Sequence, residues 1–285
     1  MLLSVLMSVY RSEKPIFLDR AMHSVWSDQT HRPDEIVLVE DGPLTESLYN
    51  VIAAWKRKLG NRLIVLSNRE NMGLTKSLNK GLKAVSGKYV ARMDSDDISL
   101  PRRFEMQLAY MESHPEVAVL GGALQEFNVA NDCLNIRHYP PRNSDVLKQI
   151  YKASPCAHPA VMMRRDIFDN GLTYDERYRT SQDVALWYDV LCAGYEINNL
   201  SETLVKFRMD GDVFKRRSRS YAANEFKIYI RGIHRLYGLL TWRYVYPVVR
   251  LLFRLMPVRV IQWIYGSGMR KMILERKTLI SAHES

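Results

Sequence analysis

Residues 88–97 read KYVARMDSDD, a short apolar run that passes directly into Asp94, Asp96 and Asp97. A run apolar on both faces is the pattern of a strand buried within a parallel sheet. Helices cover the two faces of such a sheet, so its ligands collect outside the carboxyl ends of the strands. The three carboxylates stand at such an end.

The same pattern recurs on either side. Residues 2–9, 35–39, 63–66 and 117–120 are further short runs rich in Val, Ile and Leu. Between them, residues 15–27, 45–58, 75–85 and 101–112 carry helical spacing, the last with Pro101 at a first helical position behind Ser99. Strand and helix alternate at βα spacing, which predicts an α/β fold: an open, mostly parallel, doubly wound sheet with helices on both faces. From about Gln125 the alternation weakens into a loop-rich stretch with Pro140-Pro141 and Ser154-Pro155. A strand-like segment, 160–163, and a helix, 182–193, follow; Ser181 is placed to cap that helix and Gly194 to close it. No repeat of solenoid or propeller period is present.

Composition narrows the function classes. A chain of 285 residues with 47% hydrophobic and 25% charged residues has the make-up of a folded globular protein, which excludes disordered and collagen-like readings. Cys133, Cys156 and Cys192 show no C-x-x-C spacing, so neither a disulfide framework nor a zinc knot is expected, and a reducing compartment fits. The opening MLLSVLMSVY has no basic leader and no small-residue cleavage site, and is expected to be a first strand rather than a signal peptide. The net charge of +10 is not spread evenly: residues 1–206 hold 25 Lys/Arg against 26 Asp/Glu, and residues 207–285 hold 16 against 5.

That basic tail is also aromatic and apolar. Residues 244–265 read YVYPVVRLLFRLMPVRVIQWIY, interrupted by Arg250, Arg254 and Arg259. Three arginines inside a would-be membrane span are costly, and their spacing places them near one helical face. The expectation is an interfacial amphipathic segment on an anionic membrane surface; the alternative is a pair of helices packed on the domain with their Arg stems reaching to solvent.

Four strand ends bring polar groups to one edge of the sheet: Ser8-Val9-Tyr10, Glu40-Asp41-Gly42, the segment Asn68–Gly73, and Asp94–Asp97. Carboxylates at i and i+2 of an extended segment project to the same side, so one can hold a hard divalent cation while the other takes a ribose hydroxyl or a metal-bound water. An Asp-x-Asp alone is weak evidence, since the tail holds a second at Asp210-Gly211-Asp212. The first follows a buried run and shares its edge with Asp41, which favours a ligand site over a polar turn.

The ordered set VLMSVY, VEDG, NMGL, ARMDSDD and QDVALW resembles glycosyltransferase family 2, inverting nucleotide-sugar enzymes of GT-A fold, most of all the bacterial members that build O-antigen and exopolysaccharide. The resemblance covers residues 1 to about 208. It implies a nucleotide-sugar half over about 1–124, an acceptor half over about 125–208, and a separate tail over 209–285. It further implies that Ser8 and Tyr10 line the nucleotide pocket, Asp41 meets the base, Asp94 the ribose, and Asp96 a Mn²⁺ or Mg²⁺ ion at the diphosphate. Lys76, after NMGL, would approach the nucleotide. Asp183 matches the family's catalytic base, although Gln182 stands where many relatives have Glu. His158, in a His-Pro pair, matches a position near the donor sugar or acceptor, whereas Trp187 reads as core. Many relatives carry a histidine metal ligand after a Tyr-Arg pair; here Phe207-Arg208 leads to Met209-Asp210, leaving either Asp210 or Asp212 as a substitute or the metal with fewer protein ligands.

The implied activity is a metal-dependent inverting hexosyltransferase. It would use a nucleotide-sugar, a UDP-sugar foremost, and a lipid-linked glycan acceptor, at the cytoplasmic face of a bacterial plasma membrane. A nucleotidyltransferase would need a Gly-rich phosphate loop, and SVYRSEKP contains no glycine. A nucleic-acid-binding protein would use the tail's charge, but the motif-bearing part of the chain is neutral, so no nucleic acid is expected.

Overall fold

The computed structural model describes residues 1–209 and 219–255. In chain order the elements are β1 (Leu3–Val9), α1 (Pro15–Trp26), β2 (Glu35–Glu40), α2 (Glu46–Leu59), β3 (Leu63–Ser67), α3 (Leu74–Leu82), β4 (Tyr89–Asp94), β5 (Ile98–Ser99), α4 (Arg103–Ser113) and β6 (Val117–Phe127). Then come β7 (Asn135–Arg137), α5 (Asn143–Leu147), β8 (Met162–Arg164), α6 (Asp166–Asp169), α7 (Gln182–Cys192), β9 (Glu196–Arg208), α8 (Arg219–Tyr237) and α9 (Val245–Leu255). The strands form one sheet in the order β3-β2-β1-β4-β8-β6-β9-β5, with β7 paired to β6. β1 to β4 are mutually parallel, β8 is antiparallel to both β4 and β6, and β9 runs parallel to β6.

Period-two alternation divides the core into two layers. Leu3, Val5, Met7 and Val9 of β1, with Tyr89, Ala91 and Met93 of β4, pack under α1, α2 and α4. Leu6 of β1, Val37 and Val39 of β2 and Val90 of β4 face the opposite way, toward α3, α7 and α8. Arg92 and Asp94 share that second face by the same alternation. The chain leaves β1 for β2 on one side and returns from β3 to β4 on the other, so the strand order reverses between β1 and β4. A crevice at the carboxyl ends of these two strands is where such a sheet admits a ligand.

Three local expectations are corrected. Helix α4 starts at Arg103, not at Pro101: Ser99 is still extended in β5, paired with Val205, and Pro101 lies in a turn closed by the Arg103 amide on the Leu100 carbonyl at 3.0 Å. Ser181 does not cap α7 through its side chain; its backbone is left-handed, with φ of 57°. The strand read over 117–120 is longer than expected, because β6 runs to Phe127 and pairs along its length with β9. The polar composition of β9 conceals it in the sequence. Its Asn199 is buried, the side-chain nitrogen donating to the Pro140 and Pro155 carbonyls at 2.7 and 3.0 Å.

The described tail is docked. Ala222, Ile228, Tyr229 and Ile233 of α8 are buried, and Gly232 lies so close to the Tyr188 ring that a Cβ would stand 2.3 Å from it. Helix α9 joins α8 through Glu225, which takes Arg250 at 3.1 Å and Arg254 at 2.9 Å. Its other side leaves Val245, Val248, Val249, Leu252 and Phe253 exposed. No helix among the described residues is long and apolar enough to cross a membrane. Asp210, Asp212, Arg259 and the rest of the aromatic run lie outside the described residues.

Gly42 tests the backbone of the second strand end. It has φ of +85°, and a Cβ there would lie 2.6 Å from the Asn71 amide nitrogen. Gly42→Ala is expected to destabilise the protein by about 1–3 kcal/mol in urea unfolding, from left-handed strain and displacement of the 68–73 loop.

Candidate functional site

The turn after β4 gathers the acids. One carboxylate oxygen from each of Asp94, Asp96 and Asp97 lies within 4.8 Å of the others. Asp94 is gripped from below by Arg92, whose guanidinium gives Nη1 to Oδ2 at 2.6 Å and Nη2 to Oδ1. Arg92 is only 2% exposed, so this fork holds the Asp94 carboxylate in one orientation at the floor of the site. Arg103, fully buried, donates to the Arg92 carbonyl at 2.8 Å and the Val161 carbonyl at 3.2 Å, tying β4 to the segment leading into β8. Asp97 accepts the Arg208 amide at 2.8 Å, and Arg208 Nε donates to the Asp96 carbonyl at 2.9 Å. The end of β9 thus clamps the acidic turn, while Ser95 Oγ donates to Glu13 at 2.8 Å.

The cluster is electrostatically loaded. Burial first, then Asp94 and Glu13, push the Asp96 carboxyl up to about 7. Burial and the two neighbouring aspartates also raise Asp97, whose Oδ2 has no hydrogen-bond partner among the described residues. Crowded oxygen ligands that resist ionisation when alone suit a hard divalent cation of the Mg²⁺ or Mn²⁺ kind, because the ion relieves their mutual repulsion.

Asp41 is buried and fully engaged. Its Oδ1 accepts from Asn68 at 3.1 Å and from the Met72 amide at 2.8 Å, and its Oδ2 from the Gly73 amide at 3.0 Å. It therefore pins the 68–73 loop against the end of β2. Ser8 pairs in register with Val39 and Asp94, and Tyr10 is half-exposed beyond it. Lys76 is exposed on the first turns of α3.

A cleft of about 550 Å³ opens on the α3/α7 face and is lined by Arg92, Asp94, His158, Ser181, Gln182 and Asp183, among others. It unites two acids that lie far apart in the chain. Asp183 sits in the first turn of α7, and burial raises its carboxyl while the nearby Arg92 charge opposes the rise. His158 is buried against Tyr174, with Nε2 at 2.8 Å from the hydroxyl, and burial holds it neutral, well below the usual imidazole range. Trp187 is wholly buried, as expected of a core residue. Ser8, Tyr10, Asp41, Lys76 and Asp96 do not line this cleft; Asp96 joins it only through the acidic turn. Arg92, Arg103 and Arg208 escaped the sequence reading. The available signal was a lone arginine within the otherwise apolar YVARM.

The description "Glycosyl transferase family 2" matches residues 4–172. Over 264 residues, covering 92% of this chain and 97% of the relative, the sequence is 38% identical to the amylovoran biosynthesis glycosyltransferase AmsE of Erwinia amylovora. It is 33% identical, over 95% of this chain and 97% of the relative, to the UDP-Gal:alpha-D-GlcNAc-diphosphoundecaprenol beta-1,3-galactosyltransferase of Escherichia coli. The fold is that of S. aureus TarS 1-349, solved in complex with UDP, at a TM-score of 0.62 and 19% identity over 93% of this chain and 78% of that one. It is also that of the mannosyltransferase PcManGT from Pyrobaculum calidifontis, solved with GDP-Man and Mn2+, at a TM-score of 0.63 and 13% identity over 94% and 79%. The sheet and its crevice are those of the GT-A fold. The chain belongs to glycosyltransferase family 2 and is a glycosyltransferase.

The raised Asp96 carboxyl gives the metal-free protein a defined pH response. The folded state holds this proton more tightly than the unfolded chain, so stability falls as pH rises from the ordinary carboxylate range through about 7. In chelator-treated protein, Asp96→Asn is expected to flatten that decline in thermal unfolding. At neutral pH it should gain on the order of 1–2 kcal/mol over the parent.

Proposed function

We propose that the protein is an inverting, metal-dependent hexosyltransferase that moves a sugar from a nucleotide-sugar, a UDP-sugar foremost, to a hydroxyl of a lipid-linked glycan in surface polysaccharide synthesis. The observation that carries this reading is the cleft lined by both Asp94, one of the carboxylate trio, and Asp183. The names of the relatives, an amylovoran synthesis enzyme and a galactosyltransferase acting on a diphosphoundecaprenol-linked sugar, supply the substrate class.

In this reading residues 1–124 hold the donor, residues 125–208 shape the acceptor side, and residues 209–285 form an appended tail. Ser8 and Tyr10 line the nucleotide pocket, Asp41 meets the base from the loop it pins, Asp94 takes the ribose, and Lys76 approaches the nucleotide. Asp96, with Asp94 and Asp97 at hand, would hold Mn²⁺ or Mg²⁺. Such an ion supplies charge neutralisation to the leaving diphosphate. Asp183 accepts the proton of the acceptor hydroxyl as oxygen bonds the anomeric carbon, and attack from the face opposite the leaving group inverts that carbon. The buried setting that raises its carboxyl makes it a stronger base than a solvated aspartate. His158, kept neutral, contacts the sugar or acceptor from the cleft wall.

The tail completes the reading. Its basic residues and the exposed apolar side of α9 suit the anionic cytoplasmic surface of a plasma membrane, where cationic side chains each gain about 1 kcal/mol.

Thermal unfolding with UDP-, GDP- and dTDP-sugars tests the donor site. One nucleotide class is expected to raise the melting temperature in the presence of Mn²⁺, with the shift lost in Asp96→Asn. No shift with any donor in folded protein would overturn the assignment. Asp183→Asn should keep the donor-induced shift and lose about 10²–10⁴ in kcat, while an unchanged kcat would remove Asp183 from the role of base.

A further inference from the structure

Of the carboxylate trio Asp94 lines the cleft, and three arginines from other parts of the chain line it as well. Arg137 on β7, Arg179 just before α7 and Arg254 on α9 all line the cleft that holds Asp94 and Asp183. None belongs to the β1–β4 portion of the sheet. Arg137 pairs with Glu126, and Arg254 with Glu225 at 2.9 Å; each guanidinium has five N–H donors, so one carboxylate leaves others available. Arg179 is exposed and makes no ion pair or hydrogen bond with any described residue.

Three arginines from separate elements line one cleft and hold more N–H donors than Glu126 and Glu225 occupy, an arrangement suited to an anion. Planar forks recognise phosphate oxygens two at a time. The donor's diphosphate belongs with a cation at the acidic turn, so this second charge set fits a second diphosphate. On its side away from Arg254 the same helix carries Val245, Val248, Val249 and Leu252 exposed at spacings of three and four, an apolar stripe outside the cleft. A diphosphate joined to an apolar chain matches both features at once.

We propose that Arg137, Arg179 and Arg254 form the subsite for the diphosphate of a lipid-diphosphate acceptor, with the exposed stripe of α9 lying along its lipid. This deepens the acceptor reading above and rests on it. The arginines hold the acceptor at a fixed depth, so its sugar reaches Asp183 while the lipid remains outside the cleft.

Farnesyl diphosphate, a lipid diphosphate without a sugar, is the probe. Its binding to the full chain is measured by calorimetry in chelator, where the carboxylate trio repels a diphosphate, and is compared with farnesol and inorganic pyrophosphate. Farnesyl diphosphate is expected to bind more tightly than either. Arg179→Gln should weaken it about tenfold, and Arg179→Gln with Arg254→Gln further. Because Arg179 is exposed and makes no hydrogen bond or ion pair with a described residue, its variant is expected to melt with the parent. Equal affinity of parent and variants overturns the subsite. Farnesol binding as tightly as its diphosphate overturns it too, and pyrophosphate binding as tightly would assign the arginines to a free phosphate and overturn the lipid-linked reading. The UDP-sugar shift with Mn²⁺, measured on the same proteins, is expected to be equal in all. Its absence from the parent, with arginine-dependent farnesyl diphosphate binding intact, would fault the donor assignment and leave the subsite standing.

Discussion

A guanidinium buried in a protein interior must be paired, because leaving it alone costs several kcal/mol even after relaxation. Arg92 meets that requirement through Asp94, two residues on and on the same face of β4. The pairing has consequences well beyond the strand. It places a carboxylate at the floor of the cleft in one orientation, and it sets a positive charge beneath an otherwise acidic turn. Arg103 then binds the Arg92 carbonyl and reaches the segment before β8, and the backbone of Arg208 at the end of β9 binds Asp97. The acidic turn is therefore the junction at which parts of the chain more than a hundred residues apart are fixed to one another.

That junction explains how the fold tolerates so concentrated an acidic site. Asp96 and Asp97 are held at raised proton affinity by burial and by each other, and the free protein bears the repulsion. Natural sites commonly carry such destabilisation where a ligand later relieves it. The left-handed Ser181 at the mouth of the same cleft is a second instance: a non-glycine residue in that conformation costs of order 1–3 kcal/mol and persists because α7 is packed around the wholly buried Trp187. The cleft thus brings together the end of the acidic turn, the left-handed Ser181 and arginines from three elements. Each is unfavourable alone, and each has a use if the occupant is a pair of phosphorylated substrates.

Much of this was legible from the chain. The βα alternation through β4 is carried by strands apolar on both faces, which only a covered parallel sheet buries, and the strand-end acids followed from it. The second half was less legible for a physical reason. β9 is thirteen residues of mixed character, with Asn198 and Asn199 buried on partners from distant segments, Tyr110 and Asn143 for one and the Pro140 and Pro155 carbonyls for the other, so its pattern does not announce a strand. Ser181 read as a cap because serine usually accepts a helix amide there; its backbone is instead bent by the loop that delivers Gln182 and Asp183 to the cleft.

The sequence by itself determined the sheet's first half, the location of Asp41, Asp94 and Asp96 at strand ends, and the family to which the chain belongs. These depend on periodicity and on short ordered motifs, both local properties of the chain. Only the tertiary structure decided that Asp94 and Asp183 share one cleft, that Arg92 is the buried counter-charge beside them, and that arginines from β7, the loop before α7 and α9 line the same cleft. Convergence is a property of strand order and helix docking. Residues tens to hundreds of positions apart are brought together by the burial of apolar surface elsewhere, and no local pattern records where that burial will set them.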